Sequence, residues 1–199
     1  MNYQTILFDF DGVLCKGRFY EKTLLPDYPE VYDWIQLNIF KDKELVRRWM
    51  RNQIDSIEIN KLISQNTGIE YEILKKLYKE SVRNIKLDDK LVGLAKSIKL
   101  SGKKIGIVTD NMDIFTQITV PNHRLNVLFD VIINSADYGR LKNEDNGKSF
   151  DVALSDLGEK IESSLMIDDS ESTIELYKKK GGHGFVYKNI EELKSFLRV

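Results

Sequence analysis

Short apolar runs recur along the chain, and each of them ends in polar residues. Such runs fill strands that are buried on both faces, because a strand covered on one face only would alternate apolar and polar positions. Five segments have this character: residues 6–8, 103–108, 131–134, 165–167 and 185–187. The pattern therefore predicts five buried strands.

Apolar positions at helix spacing lie between the later strands. One helix is predicted to begin at Asp88, and others are marked by apolar residues in 150–157, 174–180 and 190–197. A chain that alternates strands and helices forms right-handed crossovers and a parallel sheet with helices on both faces. We therefore predict an α/β fold whose three-layer core surrounds a central parallel sheet.

Residues 16–86 interrupt this alternation. Residues 16–29 have no regular pattern, whereas apolar residues recur at helix spacing from Val31 onward. Asp55 with Glu58, and Thr67 with Glu70, have the spacing of a capping box at a helix start. We predict an all-helical domain of about four helices, inserted into a core that consists of residues 1–15 and 87–199.

Composition narrows the class of protein. The 199 residues carry a net charge of −1, so no basic field is present that would attract nucleic acid. Cys15 is the only cysteine, which excludes an internal disulfide and fits a reducing compartment. No apolar run approaches the length of a membrane span, and we expect no secretory signal, because no basic stretch followed by an apolar segment precedes the first strand. We expect a cytoplasmic protein with no nucleic-acid or membrane partner.

The first strand ends in two aspartates that one residue separates. Side chains alternate along an extended backbone, so Asp9 and Asp11 are expected to project to the same side, and Gly12 then permits a sharp turn. Two carboxylates held together at the end of a buried strand repel each other unless a proton or a cation lies between them. The pattern favours a cation site.

Three other strands also end in polar residues. Thr109-Asp110-Asn111 follows the second strand, and Asp168-Asp169-Ser170 follows the fourth; after the third come Ser135, Gly139 and Lys142. The carboxyl ends of parallel strands meet at one edge of a sheet, where ligands bind. Four carboxylates at that edge favour Mg²⁺, which prefers oxygen ligands, and no cluster of His and Cys offers a zinc alternative.

In order along the chain, Asp9-x-Asp11-Gly12-Val13, Thr109, a lysine and Asp168-Asp169 resemble the motifs of the haloacid dehalogenase (HAD) superfamily. The helical insert lies where the helical-cap phosphatases of this superfamily carry their cap. The resemblance implies a Rossmann-like core, a cap over residues 16–86, and a Mg²⁺-dependent phosphatase that acts on a small-molecule phosphate monoester.

The resemblance also implies a role for each motif residue. Asp9 would attack phosphorus and become an aspartyl phosphate, while Asp11 would protonate the departing alcohol. The metal ligands would be the Asp9 carboxylate, the Asp11 backbone carbonyl and Asp169. Asp168 would be a further ligand or would contact one of these ligands. The haloacid dehalogenases themselves lack the second aspartate and need no metal, so Asp11 favours a phosphate ester.

Other residues would hold the phosphate. Thr109 would donate a hydrogen bond to a phosphoryl oxygen, and backbone N–H groups of Asp11, Gly12 and Asp110 would complete the cradle. Asn111 would orient this loop or touch the ligand.

Two questions stay open on the sequence alone. Lys142 has the motif spacing after the third strand, but Asn143 follows where the family often has proline, and Lys148 is the rival. A phosphomutase or phosphotransferase of the same superfamily would share every motif residue, and a catalytically silent binding protein could use the same fold.

Overall fold

Five parallel strands form the sheet of the computed structural model, which describes residues 3–198. The strands are β1 (Thr5–Phe8), β2 (Lys104–Thr109), β3 (Val131–Asn134), β4 (Ser164–Asp168) and β5 (His183–Val186). Their order is β3-β2-β1-β4-β5, and all neighbouring pairs are parallel. The five predicted strands and their parallel arrangement are thus confirmed, although β5 begins two residues earlier than predicted.

Helices cover both faces of the sheet. They are α6 (Asp89–Leu100), α7 (Val120–Asn122), α8 (Leu125–Leu128), α9 (Ser135–Tyr138), α10 (Lys148–Leu157), α11 (Glu171–Lys179) and α12 (Ile190–Leu197). A π-helical turn (Phe115–Thr119) and a 3₁₀ turn (Ile161–Ser163) complete the core. Strand alternation sends Ile6 and Phe8 into one apolar cluster with α6 and α12, and Leu7 into another with α10 and α11. The predicted three-layer α/β core is confirmed.

Between Cys15 and Leu87 the described chain is helical. It forms α1 (Glu21–Leu24), α2 (Pro29–Ile35), a π-helical turn (Gln36–Phe40), α3 (Lys43–Met50), α4 (Ser56–Thr67) and α5 (Tyr71–Arg83). The all-helical character was predicted, but α1 lies within residues 16–29, for which no regular structure was expected. Its four residues are too few to show a period.

One of the two predicted capping boxes is present. Asp55 accepts from the Glu58 N–H, and Glu58 accepts from the Asp55 N–H, at the start of α4. The predicted Thr67–Glu70 box is wrong, because α4 runs through Thr67 and ends at Gly68, whose φ of 75° stops the helix. The Thr67 hydroxyl donates to the Ile63 carbonyl within α4 instead.

The helical insert has an apolar core of its own. Trp49 lies at its centre, fully buried, and packs near Tyr78. From the α/β core, Met112 and Ile114 on the loop after β2 join this cluster. The insert is therefore packed against the carboxyl edge of the sheet. Within the described residues, no helix is both long enough and apolar enough to cross a membrane.

Candidate active site

The strand register brings the motif residues to one edge of the sheet. Phe8 pairs with Ile107 on one side and with Ile167 on the other, so the carboxyl ends of β1, β2 and β4 lie within two residues of one another at the same edge. The Asp9 N–H then donates to the Ile167 carbonyl at 2.9 Å, which fixes the backbone of the first aspartate beside β4. The positions of Asp9 and Asp168 therefore follow from the sheet itself.

A sharp turn follows Asp9, and it requires glycine. Gly12 has a φ of +79°, and a Cβ atom at this position would lie 2.2 Å from Asp169 Oδ2. A larger residue would therefore displace Asp169 from the site. The Gly12 N–H donates to the Cys15 carbonyl at 2.7 Å. This N–H is therefore engaged within the turn, and its place in a phosphate cradle stays a prediction.

Three carboxylates converge beyond these strand ends. One oxygen from each of Asp9, Asp168 and Asp169 lies within 4.8 Å of the others, and no second such group of acidic, His or Cys residues occurs in residues 3–198. Asp9 and Asp168 are buried, while Asp169 is exposed. The arrangement offers hard oxygen ligands with one side open, which suits Mg²⁺.

A single buried lysine neutralises part of this charge. The Lys142 ammonium lies 2.6 Å from Asp9 Oδ2 and 2.6 Å from Asp168 Oδ2. Its backbone N–H donates to Asp110 Oδ1 at 2.7 Å, which fastens the loop after β3 to the loop after β2. Lys148 is instead exposed at the start of α10. The geometry therefore brings Lys142, and not Lys148, to the carboxylates.

The second aspartate has a different partner. Asn111 Nδ2 donates to Asp11 Oδ2 at 2.8 Å, and the Asn111 backbone N–H donates to Ser135 Oγ at 3.0 Å. Asn111 Oδ1 also accepts the Met112 N–H. Asn111 thus ties the loop after β2 to Ser135 and to Asp11, which agrees with the first of the two roles that the sequence left open, the orientation of this loop; contact with a ligand stays a prediction.

Burial disfavours the charged forms of the two motif aspartates. It raises the pKa of Asp9 to about 7, against the opposing pull of Lys142 and with a further contribution from Asp168. Burial raises the pKa of Asp11 to about 7 as well. Burial alone would lower the pKa of Lys142, but Asp9, Asp168 and Asp110 together outweigh it and raise that pKa, so the ammonium stays charged. The positive charge of Lys142 therefore does not neutralise all of the negative charge that the aspartates of the site can carry.

Thr109 completes the edge. Its side chain is buried, and its hydroxyl finds no hydrogen-bond partner among residues 3–198. A buried hydroxyl without a partner costs about 1–3 kcal/mol, so such groups in folded proteins commonly await a ligand or water. Thr109 lies at the end of β2, at the carboxyl edge of the sheet, where an oxygen-rich ligand would bind.

The helical insert closes one side of this cavity. Arg47 and Met50 of α3, and Arg51 directly after it, line a space of about 700 Å³ that also borders Asp9 and Asp168. Arg51 forms an ion pair with Glu144, two residues after Lys142, and its Nε donates at 3.1 Å. The sequence does not indicate these insert residues, because a basic residue that lines a site has the same pattern on an amphipathic helix as a basic residue that only faces water.

Comparisons with known proteins agree on one family. A sequence model of the haloacid dehalogenase-like hydrolase family matches residues 3–176. A search of curated proteins found no match.

Three solved structures illustrate the likeness of fold. A predicted HAD-like family hydrolase from Porphyromonas gingivalis is 17% identical over the whole of both chains, with a TM-score of 0.74. A HAD family enzyme from Bacteroides thetaiotaomicron, in complex with magnesium and inorganic phosphate, is 17% identical over 94% of each chain, with a TM-score of 0.68. An L-2-haloacid dehalogenase from Xanthobacter autotrophicus is 16% identical over 98% of this chain and 83% of its own, with a TM-score of 0.66. The sequence motifs, the parallel sheet and the family match over residues 3–176 together establish that this chain belongs to the haloacid dehalogenase-like hydrolase family.

Proposed function

We propose that the protein is a Mg²⁺-dependent phosphatase that hydrolyses a small-molecule phosphate monoester through an aspartyl-phosphate intermediate. The observation that carries this proposal is the convergence of Asp9, Asp168 and Asp169 around the Lys142 ammonium at the carboxyl edge of the sheet. Surplus negative charge of this kind is costly in a folded protein unless a cation and a ligand use it.

The donor set fits a magnesium ion. Asp9, Asp169 and the Asp11 backbone carbonyl would hold it, with Asp168 beside them. The Bacteroides thetaiotaomicron enzyme of the same family was crystallised with magnesium and inorganic phosphate, which supports magnesium and a phosphoryl group as what this site binds. When bound, the ion would neutralise charge on the phosphoryl oxygens and on the carboxylates.

The chain's own residues would carry out two transfers. In the first, an Asp9 carboxylate oxygen forms a bond to phosphorus as the ester P–O bond breaks, and Asp11 gives its proton to the leaving alkoxide. In the second, Asp11 takes a proton from water, whose oxygen attacks phosphorus and releases Asp9 and inorganic phosphate. A pKa near 7 suits Asp11 for giving and accepting a proton at neutral pH.

The remaining site residues would position the phosphate. The Thr109 hydroxyl, which is buried without a partner, would donate to one phosphoryl oxygen. Lys142 would offset charge on the phosphate and on Asp9. The Asp110 backbone N–H would add a further donor to the cradle. Positioning and charge neutralisation supply most of the barrier reduction in phosphoryl transfer.

The insert would act as the cap of this site, with residues 1–15 and 87–199 as the core domain. Its apolar cluster is distinct from the two clusters that flank the sheet, so it is a packing unit of its own. Residues of α3 border the catalytic cavity, where they would exclude water and contact the substrate.

Asp11 distinguishes this proposal from dehalogenation. The likeness to the Xanthobacter autotrophicus dehalogenase concerns the fold, which hosts both reactions. A proton donor held by Asn111 beside the nucleophile is needed for an alkoxide leaving group and not for a halide.

A phosphate-ester panel tests the proposal. We expect steady release of inorganic phosphate with Mg²⁺ and none after EDTA treatment. Asp9→Asn should lower kcat by at least about a thousandfold, since it removes the nucleophile. Asp156→Asn, an exposed aspartate of α10, is the matched control and should retain activity. Undiminished hydrolysis by Asp9→Asn would exclude the mechanism, and phosphate transfer between two alcohols in place of release would identify a phosphotransferase.

A further inference from the structure

A second cavity opens from the catalytic one, between the insert and the core. Its volume is about 370 Å³, at the lower end of the range for small-molecule sites. Asp11 and Met50 border both cavities. Because Asp11 is the proposed proton donor to the leaving oxygen, the alcohol part of the substrate must extend from Asp11 into this second space.

The walls of this second cavity are mainly apolar. The apolar side chains come from the segment between β1 and α1, from the π-helical turn Gln36–Phe40 and α3 of the insert, and from the loop after β2. They are Phe19, Phe40, Val46, Met50 and Met112. Such a wall gives few partners to a sugar, and each buried hydroxyl without a partner costs about 1–3 kcal/mol. Aromatic or branched aliphatic groups lose no hydrogen bonds here.

One polar side chain of this cavity is poised to bind. The Gln36 amide nitrogen is buried and has no hydrogen-bond partner among residues 3–198. Gln36 begins the π-helical turn, and Phe40, which ends it, lines the same cavity. Turns of this kind are rare and frequently occur at functional sites, because the extra residue re-aims the neighbouring side chains. An amide donor in an apolar wall suits a carbonyl or ether oxygen on the ligand.

Arg18, the other polar side chain of the wall besides Asp11, is exposed. Because this side chain is exposed, water satisfies its guanidinium, so it adds no unpaired polar group to the cavity. The chemistry of the interior is therefore set by the apolar side chains and by Gln36.

We infer that the natural substrate is the phosphate monoester of an alcohol with a compact aromatic or branched apolar body, which carries one hydrogen-bond acceptor that Gln36 recognises. The enzyme selects this substrate against sugar phosphates. This inference rests on the proposed phosphatase function, since it assigns the leaving group of that reaction.

Three primary-alcohol esters test the inference with matched leaving groups: benzyl phosphate, 4-acetylbenzyl phosphate and glucose 6-phosphate. We expect kcat/KM for benzyl phosphate to exceed that for glucose 6-phosphate at least tenfold. In Gln36→Leu, the ratio of kcat/KM for 4-acetylbenzyl phosphate to that for benzyl phosphate should fall about tenfold. Leu37→Ala changes an exposed residue of the same turn and should leave this ratio unchanged.

Acetyl phosphate, an acyl phosphate whose leaving group is the small acetate ion and not an alcohol, separates this inference from the proposed function. Hydrolysis of acetyl phosphate with equal or better use of glucose 6-phosphate would overturn the apolar substrate and leave the phosphatase intact. An unchanged ester ratio in Gln36→Leu would overturn the role of Gln36. If neither acetyl phosphate nor any of the three esters is hydrolysed with Mg²⁺, both the proposed function and the inference fail.

Discussion

Two buried polar clusters lie close to each other on the loops that leave the sheet, and they differ in how their charges are satisfied. At the joint between insert and core, the Asp113 carboxylate accepts from the Trp49 indole N–H at 3.2 Å and from both the N–H and the hydroxyl of Ser56. In the candidate active site, three aspartates converge beside a single lysine whose ammonium contacts two of them, and the buried Thr109 hydroxyl has no partner among residues 3–198.

The difference separates structural polar groups from functional ones. A carboxylate with several donors is fully compensated, so Asp113 fixes the insert on the core and has no capacity left for a ligand. The oxygens of Asp9 and Asp168 also have hydrogen-bond partners, but the converging carboxylates carry more negative charge than the one ammonium neutralises. A protein retains such surplus charge where a ligand compensates it. Mutations in the first cluster should therefore cost stability, and mutations in the second should cost activity.

The largest effect is expected from the shared lysine. Lys142→Met should lower kcat by at least about a hundredfold, because it removes the positive charge that faces Asp9 and the transferred phosphate. Lys148→Met, at an exposed position, is the control and should stay within about twofold of the wild type. Phosphate release measured with saturating Mg²⁺ checks both variants.

Circular dichroism must accompany that measurement. Two buried carboxylates lose their counter-charge in Lys142→Met, so its folded state is also expected to be less stable. A folded Lys142→Met protein with full activity, beside an inactive Lys148→Met protein, would assign the motif lysine to Lys148 and contradict the geometry-based choice.

The active-site cluster was predictable because backbone topology builds it. Asp9 directly follows β1, whereas Thr109 and Asp168 are the last residues of β2 and β4. Parallel strands bring their carboxyl ends to one edge whatever the intervening chain does. Lys142 was harder to place, since the loop after β3 is irregular and two lysines had plausible spacing. The hydrogen bond from the Lys142 backbone N–H to Asp110 helps to hold Lys142 at the site, and a contact of this kind leaves no periodic pattern in the sequence.

The joint could not be predicted from the sequence. Asp113 lies four residues beyond Thr109, and its partners Trp49 and Ser56 come from a segment more than fifty residues earlier. The amphipathic pattern around Trp49 predicts a buried side but does not say which loop covers it. The short helix α1 and the π-helical turn Gln36–Phe40 were not predicted for a related reason. Each spans five residues or fewer, and packing against neighbours determines its conformation.

The second-largest effect concerns this joint. Asp113→Ala should lower the free energy of unfolding by about 1–3 kcal/mol, because it leaves the Trp49 and Ser56 N–H donors buried with fewer partners. Urea unfolding followed by tryptophan fluorescence measures the change. Asp156→Ala, at an exposed site, should shift stability by less than about 0.5 kcal/mol.

The distinction between the two clusters would be wrong if Asp113 contributed to catalysis, as the active-site aspartates are proposed to do. A folded Asp113→Ala protein that keeps wild-type stability but loses its activity would show that the joint serves catalysis directly. Retained kcat in the folded fraction, with reduced stability, is the expected result.

A smaller effect comes from the metal. Mg²⁺ at ten times its dissociation constant should stabilise the protein by about 1.4 kcal/mol, since it binds only where the folded chain gathers the carboxylates. In a chain of this length, that corresponds to a rise in Tm of about 3–6 °C. Thermal unfolding with Mg²⁺ and with EDTA measures it.

Asp169→Asn should abolish that rise in Tm, while Asp113→Asn should preserve it. A rise that survives in Asp169→Asn would place the ion elsewhere. This pair of variants sharpens the comparison, because both remove one negative charge near the same edge and only one belongs to the group of converging carboxylates.

The smallest effect on stability should come from the ion pair between Arg51 of the insert and Glu144 of the core. The Arg51 guanidinium holds the pKa of Glu144 below its usual range, and Glu144 Oε2 also accepts the Leu141 N–H at 2.9 Å. The pair is partly exposed, so Arg51→Gln should lower the free energy of unfolding by less than about 1 kcal/mol. Because Glu144 braces the loop that carries Lys142, kcat should fall more than this stability change suggests. High salt should weaken the wild-type pair and bring its kcat toward that of Arg51→Gln; equal kcat for both proteins at low salt would mean that the insert leaves the lysine loop unaffected.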